Sequence, residues 1–311
     1  MSDVVLVTGA GGFAGSHLVE HLLASPNHRR GEGGSTSHTV VGWTRQTVDL
    51  LDRDRVRAAI HDLRPAQIYH CAGMPHVAES WRDTARPLEG NVLATEHLFD
   101  ALRREGIRCR VLVTGSATVY APSADPISES DPIAPASPYA ISKLAQEQLA
   151  LRAIQEDGLD IVVTRSFNHT GPRQTPEFVA PSMARQIALI ERGQLESVIK
   201  VGNLDAQRDV TDVRDVVRAY AALMQSGKTG VVYNVASGVA RSIRSILDAL
   251  VSRATVPVRI EIDQARMRPN DVPVVVGNFS RLNEATGWQP AITFNQMLDD
   301  LLTYWRSHAR I

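Results

Sequence analysis

A glycine-rich turn near the start of the chain constrains the fold more than any other feature of the sequence. Val4–Thr8 is an apolar run typical of a strand, glycines recur every third position after it, and Phe13–Leu23 has helical periodicity. A strand, a tight turn and a helix in this order place the helix N-terminus where its N–H groups can bind a phosphate. The pattern predicts a dinucleotide-binding domain with these residues at the pyrophosphate: Gly9, Gly12, Phe13 and Gly15.

Strand-like and helix-like segments continue to alternate through the first half of the chain. The further predicted strands are Thr39–Trp43, Gln67–His70, Arg110–Thr114, Ile161–Ser166 and, after a looser stretch, Val231–Val235. Alternation of this kind predicts an α/β fold with a doubly wound parallel sheet of the Rossmann type. We expect residues 1–171 and about 206–236 to form the dinucleotide-binding domain. Residues of about 172–205 and 237–311 are expected to form a smaller, discontinuous C-terminal lobe that binds the substrate.

Composition excludes several classes of protein. The formal net charge of the 311 residues is −1, which offers no field for nucleic acid or an anionic membrane. Apolar runs stay below the about 20 residues that a membrane span needs, and the N-terminus is already a strand rather than a leader sequence. Cys71 and Cys109 are too few for a disulfide framework and are expected to be free thiols, with no metal site. These features indicate a cytoplasmic protein.

A serine, a tyrosine and a lysine predict the chemistry. Tyr139 and Lys143 are four residues apart and so share one helix face, while Ser116 follows an apolar strand-like run. Only three of the 33 Lys and Arg residues are lysines, so Lys143 is less easily explained as a surface charge. A lysine beside the phenol favours its ionised form and moves it toward working pH from its usual pKa of about 10. This set predicts hydride transfer to or from an alcohol carbon, with Tyr139 as the acid or base.

The ends of the second and third strands indicate which cofactor is bound. An acidic residue at the end of the second strand would bind the ribose hydroxyls of NAD, but Thr44 and Arg45 stand there. A hydroxyl and a guanidinium suit a 2′-phosphate, so NADP(H) is favoured, with NAD(H) as the alternative if Arg45 is merely exposed. Further cofactor contacts are expected at the adenine, from Asp49 and Leu50, and beneath the cofactor, from Cys71, Ala72 and Gly73.

The GxxGxxG spacing resembles the short-chain dehydrogenase/reductase superfamily, and nearly the whole chain resembles its extended members that act on nucleotide sugars. Sequence segments such as Arg165–Pro172 and Gly287–Pro290 are most similar to the GDP-mannose 4,6-dehydratase branch. The resemblance implies a GDP-linked sugar substrate. It also implies the substrate-binding residues: His76 beside the sugar, Asn168, Val179 at the base, Arg208 and Arg268 at the diphosphate, and Asp271.

The residue at position 118 limits which reaction the protein is expected to catalyse. In the 4,6-dehydratases of that family the residue two after the serine or threonine is a glutamate that moves a proton, whereas here it is Thr118. The resemblance therefore implies a reductase of GDP-4-keto-6-deoxy-D-mannose that makes GDP-D-rhamnose or GDP-6-deoxy-D-talose. A nucleotide-sugar 4-epimerase with tightly bound NAD is the alternative, and a catalytically silent cofactor-binding protein is a third. We expect a homodimer or homotetramer.

Overall fold

A six-stranded parallel sheet forms the centre of the molecule, whose computed structural model describes residues 4–25, 38–267 and 272–310. Its strands, in spatial order, are β2 (Thr39–Trp43), β1 (Val4–Thr8), β3 (Gln67–His70), β4 (Arg110–Ser116), β5 (Asp160–Ser166) and β9 (Val232–Val235). The order reverses between β1 and β3, and the carboxyl ends of all six strands meet at one edge. The predicted doubly wound sheet is confirmed.

Helices cover both faces of this sheet. One face carries α2 (Arg53–Leu63), α4 (Ala94–Arg104) and α5 (Pro138–Asp157), and the other carries α1 (Phe13–Ala24), α7 (Val213–Ser226) and α9 (Ser280–Thr286). Both sheet faces are therefore buried, which explains why the strands are continuous apolar runs. Across the described stretches of the chain, no helix combines the length and the apolar composition that a membrane crossing requires.

A third hydrophobic core lies in the C-terminal half, away from the large sheet. It is formed by α6 (Val179–Glu191), α8 (Ile243–Val251) and α10 (Phe294–His308) with β7 (Val198–Val201), which pairs with β11 (Arg259–Ile262). A small sheet joins β8 (Gln207–Asp212) to β6 (Asn168–Thr170), β10 (Ala240–Ser242) and β12 (Val274–Val275). The strands of this small sheet were not predicted, because runs of two to six residues with polar side chains carry little periodicity.

Short helical segments surround the carboxyl edge of the large sheet. They are α3 (Val77–Ser80), a π-helix (Leu88–Leu93) and a 3₁₀ turn (Ala117–Val119). A further 3₁₀ turn (Gln264–Arg266) lies beside Gly202 and Ser182 in the C-terminal half. The sequence predicts a regular helix from Asn91 to Arg104, whereas the chain winds as a π-helix before α4 begins. The wider turn directs Asn91 into the interior, where it is fully buried and hydrogen-bonded. π-turns of this kind occur frequently at functional sites.

Candidate active site

The glycine turn brings α1 directly against the ends of β1 and β3. Gly9 has a φ of +69°, and a Cβ atom there would lie 2.7 Å from the backbone nitrogen of Ala72. A Cβ atom at Gly15 would collide with the carbonyl oxygen of Gly9. Gly12, the N-cap of α1, has no side chain to cap the helix, and the first turn of α1 holds no acidic residue. The turn is therefore suited to an anion at the helix N-terminus.

The structure brings Ser116, Tyr139 and Lys143 to one place. Ser116 ends β4, and Tyr139 and Lys143 lie one turn apart near the start of α5. All three side chains are buried. Lys143 Nζ donates hydrogen bonds to the carbonyl oxygen of Thr114 and to Oε1 of Gln146, each 2.8 Å long. Because Thr114 lies two residues before Ser116 on β4, these bonds hold the ammonium at the same strand end as the serine.

Burial shifts both titratable side chains of this set. It raises the pKa of Tyr139, with a weaker opposite effect from a hydrogen bond to Ser116. It lowers the pKa of Lys143 to about 8, against a weaker opposite effect from Cys71. The sequence predicts that Lys143 promotes ionisation of the phenol, whereas here desolvation dominates and the pKa of the phenol moves the other way. A phenol that stays protonated is the form that can donate a proton to a ketone oxygen.

A second hydroxyl lies beside Ser116. Thr118 Oγ1 is 3.0 Å from Ser116 Oγ, and the backbone nitrogen of Thr118 donates to that same Oγ at 3.3 Å. The 3₁₀ turn after β4 positions both groups, with Thr118 exposed. The side chain at position 118 is thus a neutral hydroxyl near Ser116, and it cannot replace a carboxyl group as an acid.

The residues predicted to select the cofactor lie at the end of β2. Arg45 is 74% exposed, and its Nε lies 3.3 Å from Asp49 Oδ2. Thr44 borders the glycine turn, since a Cβ atom at Gly11 would lie 3.3 Å from its methyl group. Leu50 differs from these three because its side chain is buried in the core on the α2 side of the sheet. Thr44 therefore lies at the edge of the glycine turn, and Arg45, which follows it, is paired with Asp49.

The segment after β3 runs between the glycine turn and Lys143. Ala72 N donates to Thr8 Oγ1 at 3.3 Å. A Cβ atom at Gly73 would lie 2.5 Å from Asn91 Oδ1 and 3.6 Å from Lys143 Nζ. Burial raises the pKa of the Cys71 thiol to about 12, so that it stays protonated. The segment that contains the predicted cofactor residues Cys71, Ala72 and Gly73 thus links the end of β1 to Lys143.

Two predicted substrate residues are brought together beyond the end of β3. His76 is the N-cap of α3, and its ring centroid lies 5.3 Å from that of Phe178, the N-cap of α6. Val179, the first residue of α6, is exposed. The loop after β3 therefore contacts the start of α6.

Asn168 and Arg208 belong to the small sheet. Asn168 is exposed and pairs with Val210 of β8, and Arg208 lies two residues earlier on β8. Residues two apart on a strand face the same side. Arg208 Nη1 donates to the carbonyl oxygens of Gln207 and Val272, each at 2.7 Å. The other two predicted substrate residues, Arg268 and Asp271, lie outside the described residues.

An aromatic contact joins the glycine turn to the strand that carries Asn168. The rings of Phe13 and His169 are nearly parallel, with an interplanar angle of 7° and centroids 5.8 Å apart. His17 of α1 also lies 2.9 Å, through Nε2, from the carbonyl oxygen of Pro172. Burial lowers the pKa of His169, so the ring in this stack is neutral. The glycine turn and α1 are thus in direct contact with the segment that carries Asn168.

Sequence reasoning missed two buried amides beside the catalytic set. Asn91 Oδ1 accepts from Met74 N, and its Nδ2 donates to Ser142 Oγ, both at 2.8 Å. Gln146 bonds directly to Lys143. The available signal for Gln146 was a polar residue on a predicted helix three positions after Lys143, the predicted catalytic lysine.

The residues present fit a dinucleotide. The N-terminus of α1 has no capping side chain and no acidic residue in its first turn, so its N–H groups can bind a pyrophosphate. Lys143 supplies a buried cation near the carboxyl end of β4, on the same edge of the large sheet as the glycine turn. In the parts of the chain that the structure describes, no three His, Cys, Asp or Glu side chains are grouped to hold a metal ion.

A doubly wound sheet with this glycine turn and this serine, tyrosine and lysine set defines an oxidoreductase of the short-chain dehydrogenase/reductase type. A family model described as GDP-mannose 4,6 dehydratase matches residues 6–301. The chain belongs to that family, and the resemblance inferred from the sequence is confirmed.

Individual relatives cover the whole chain. GDP-6-deoxy-D-mannose reductase of Pseudomonas aeruginosa is 39% identical over 317 aligned residues, which span 100% of this chain and 99% of that protein. The structure of RMD from Pseudomonas aeruginosa complexed with NADPH matches with a TM-score of 0.87 and 38% identity, covering 98% and 99% of the two chains. UDP-glucose 4-epimerase of Thermus thermophilus, complexed with NAD, matches with a TM-score of 0.82 and 29% identity, covering 97% and 99%.

Proposed function

We propose that the protein reduces the 4-keto group of GDP-4-keto-6-deoxy-D-mannose and forms GDP-D-rhamnose or its C4 epimer, GDP-6-deoxy-D-talose. The observation that carries this proposal is the hydroxyl of Thr118 beside Ser116, next to a buried phenol that stays protonated. Such a site can protonate a ketone oxygen, but position 118 offers no acid for dehydration. The full-length relationship to a GDP-6-deoxy-D-mannose reductase supports the choice of substrate.

Each member of the catalytic set has a proposed role. Tyr139 donates its phenolic proton to the ketone oxygen, and Ser116 hydrogen-bonds the same oxygen. Lys143 binds the nicotinamide ribose and stabilises the phenolate that remains after proton transfer. The bound reduced nicotinamide supplies the hydride to C4. A reaction of this kind needs the phenol protonated at the start, and the raised pKa of Tyr139 meets that need.

NADPH is the proposed cofactor, with NADH as the alternative. Its pyrophosphate would lie on the glycine turn and its 2′-phosphate beside Thr44 and Arg45. The NADPH complex of the Pseudomonas aeruginosa RMD supports NADPH as the cofactor. The NAD complex of the Thermus thermophilus epimerase supports NADH as the alternative. We further propose that residues of about 172–205 and 237–311 form the GDP-sugar lobe. Val179 of this lobe would contact the substrate together with His76, Asn168 and Arg208 of the dinucleotide-binding domain. The separate hydrophobic core of α6, α8 and α10 supports this division.

One incubation series tests the function. Enzymatically made GDP-4-keto-6-deoxy-D-mannose is supplied with NADPH, with NADH or without added cofactor. A reductase oxidises the cofactor in step with sugar consumption, and NMR identifies the C4 configuration of the product. A parallel incubation with GDP-mannose, which carries a C4 hydroxyl, tests the alternative. Inversion at C4 of that sugar without net cofactor oxidation would identify a 4-epimerase, and no change of either sugar would identify a binding protein.

Dehydration of GDP-mannose should not occur. Loss of water from C5 and C6 needs a proton-transfer group, and the Thr118 hydroxyl ionises far above neutral pH. After long incubation with GDP-mannose and NADP⁺, mass spectrometry should detect no 4-keto sugar, whereas the keto sugar with NADPH should gain two mass units. If water is lost from GDP-mannose, an acid comes from elsewhere, first of all Glu79, which is half-buried and paired with Arg86 near His76.

Arg45 should determine the preference for NADPH. Replacing Arg45 with Ala or Asp removes the guanidinium and leaves the Asp49 carboxylate unopposed. Loss of one charge-assisted contact should lower kcat/KM for NADPH by roughly 10- to 100-fold and leave that for NADH equal or higher. The exposed Arg55 of α2 provides the control variant Arg55→Ala. Equal losses with both cofactors would mean that Arg45 acts on folding or on the adenosine that both cofactors share.

We propose a homodimer or homotetramer that works in the cytoplasm. Support for assembly comes from exposed apolar side chains around α3, the π-helix and α5, which are Trp81 (62% exposed), Leu88, Leu93 and Ile141. Exposed apolar patches of this kind are common where protein surfaces associate. Sedimentation velocity with Trp81→Ser and Ile141→Ser variants would test this surface.

A further inference from the structure

Gln146 is fully buried, and both ends of its amide are engaged. Its Oε1 accepts from Lys143 Nζ, and its Nε2 donates to Thr95 Oγ1, both at 2.8 Å. An ammonium can only donate, so the amide oxygen must face Lys143 and the amide nitrogen must face Thr95. The orientation of Gln146 is therefore fixed by its two partners.

Thr95 extends this contact into a row of hydrogen bonds that ends at β1. Its hydroxyl donates to the carbonyl oxygen of Asn91 at 2.6 Å, so His70, 2.8 Å away, must donate to it from Nε2. The other ring nitrogen, Nδ1, then accepts from Thr8 Oγ1 at 2.8 Å. Burial lowers the pKa of His70 to about 3, which keeps the ring neutral. Since every bond has one allowed direction, the row anchors Gln146 rigidly.

Few groups compensate the buried charge of Lys143. Cys71 and His70 approach from the end of β3, and both are neutral because burial raises the pKa of the first and lowers that of the second. Tyr139 precedes Lys143 by one turn on α5, and Glu147, further along that helix, is paired with Arg165 of β5. From β4 and the π-helix come the Thr114 carbonyl and the Asn91 amide, which do not titrate. Two neutral oxygens, one from Thr114 and one from Gln146, therefore replace the water lost by the ammonium.

We propose that Gln146 is the positioning residue of Lys143, because its amide oxygen keeps the ammonium charged and directs its remaining N–H donor. Two of the three N–H groups are bound by Thr114 and Gln146, so the direction of the third follows from theirs. This proposal rests on the role proposed above for Lys143 in the reaction. It adds a residue that contacts neither substrate nor cofactor and acts only through the lysine.

The scarcity of lysine permits a direct test. Protein labelled with ¹³Cε-lysine should give three signals, from Lys143, Lys200 and Lys228, and Lys200→Arg and Lys228→Arg variants assign them. A pH titration of the protein without cofactor then reports the pKa of Lys143 independently of activity. In Gln146→Met the acceptor is lost, and the pKa of Lys143 should fall by about one pH unit. In Gln146→Glu a negative charge is added, and the pKa should rise by a similar amount.

The pair of variants separates positioning from packing. Gln148→Met, an exposed position on the same helix, is the matched control and should leave the pKa of Lys143 unchanged. If the pKa is unchanged in both Gln146 variants, or moves in the same direction in both, the proposal is wrong. Should Gln146→Met fail to fold, absence of a rise in Gln146→Glu, whose side chain has a similar volume, overturns it alone.

The pH dependence of turnover tests the underlying role of Lys143. The pH at which kcat falls on the alkaline side should be lower in Gln146→Met and higher in Gln146→Glu than in the wild type. Both changes should match the NMR titration. If the NMR pKa moves as expected while the pH at which kcat falls is unchanged, Gln146 does position Lys143, and what fails is the reaction role proposed for Lys143.

Discussion

Replacement of Tyr139 by Phe is expected to remove nearly all turnover while cofactor binding is retained. The phenol is buried beside Ser116 at the strand end, and burial keeps it protonated. Phenylalanine preserves the ring and its packing but has no proton to give to the ketone oxygen. Proton transfer by a positioned side chain contributes about 10²- to 10⁴-fold to the rate, so kcat should fall by a factor in that range. Steady-state kinetics with the keto sugar and NADPH would measure it.

Two further measurements make the Tyr139 result specific. Fluorescence titration with NADPH should give a Kd close to that of the wild type. Tyr304 is half-buried on α10, far from the sheet edge. The control variant Tyr304→Phe removes a phenolic hydroxyl there and should leave kcat unchanged. Retention of more than half of the wild-type kcat by Tyr139→Phe would refute the assignment of Tyr139 as the proton donor.

Loss of the Lys143 ammonium should reduce both turnover and cofactor affinity. In Lys143→Met the side chain keeps its approximate length but loses the charge, so neither the cofactor ribose nor the phenolate is stabilised. Each charge-assisted contact accounts for roughly a tenfold effect or more, so we expect kcat to fall by at least about 100-fold and the Kd for NADPH to rise by about tenfold. Isothermal titration and steady-state kinetics separate the two effects.

The pH dependence of the wild type provides a second measurement of the same group. Because burial lowers the pKa of Lys143 to about 8, the ammonium is charged below that pH and neutral above it. Tyr139, whose pKa is raised, stays protonated over the same range. Turnover should therefore decline as the pH rises through about 8. Lys200→Met, on the exposed side of β7, should keep both the rate and the profile, and a wild-type rate that is flat across this range would exclude Lys143 as the titrating group.

The large sheet could be predicted because its signals are local in sequence. Most strands contain a short apolar run, and a helix that ends at a visible breaker, such as Pro65 or Gly106, follows most of them. The glycine turn could be predicted for the same reason, since Gly9 and Gly15 occupy positions where a Cβ atom would collide with the backbone. Tyr139 and Lys143 could be placed together because residues four apart share a helix face, and Ser116 could be added because it ends the strand that precedes this helix.

The features that could not be predicted from the sequence depend on contacts between segments that are distant in the chain. β6 and β8 pair although they lie in separate segments of the predicted dinucleotide-binding domain, and neither is long enough to show periodicity. Gln146 and Asn91 are ordinary polar residues in sequence, and only tertiary packing turns them inward. The direction of the pKa shift at Tyr139 depends on burial, which motif spacing does not reveal. The π-turn at Leu88–Leu93 also has no sequence signal of its own.

The stack of Phe13 on His169 has a consequence for protein engineering. Phe13 belongs to the turn proposed to bind the cofactor pyrophosphate, and His169 is the neighbour of Asn168, which is proposed to contact the sugar. Residues in contact rarely contribute independently. A substitution selected at position 13 for a new cofactor would therefore also change sugar recognition, and a substitution at position 169 would change cofactor recognition. Libraries that vary both positions together would sample combinations that stepwise selection at either one would discard.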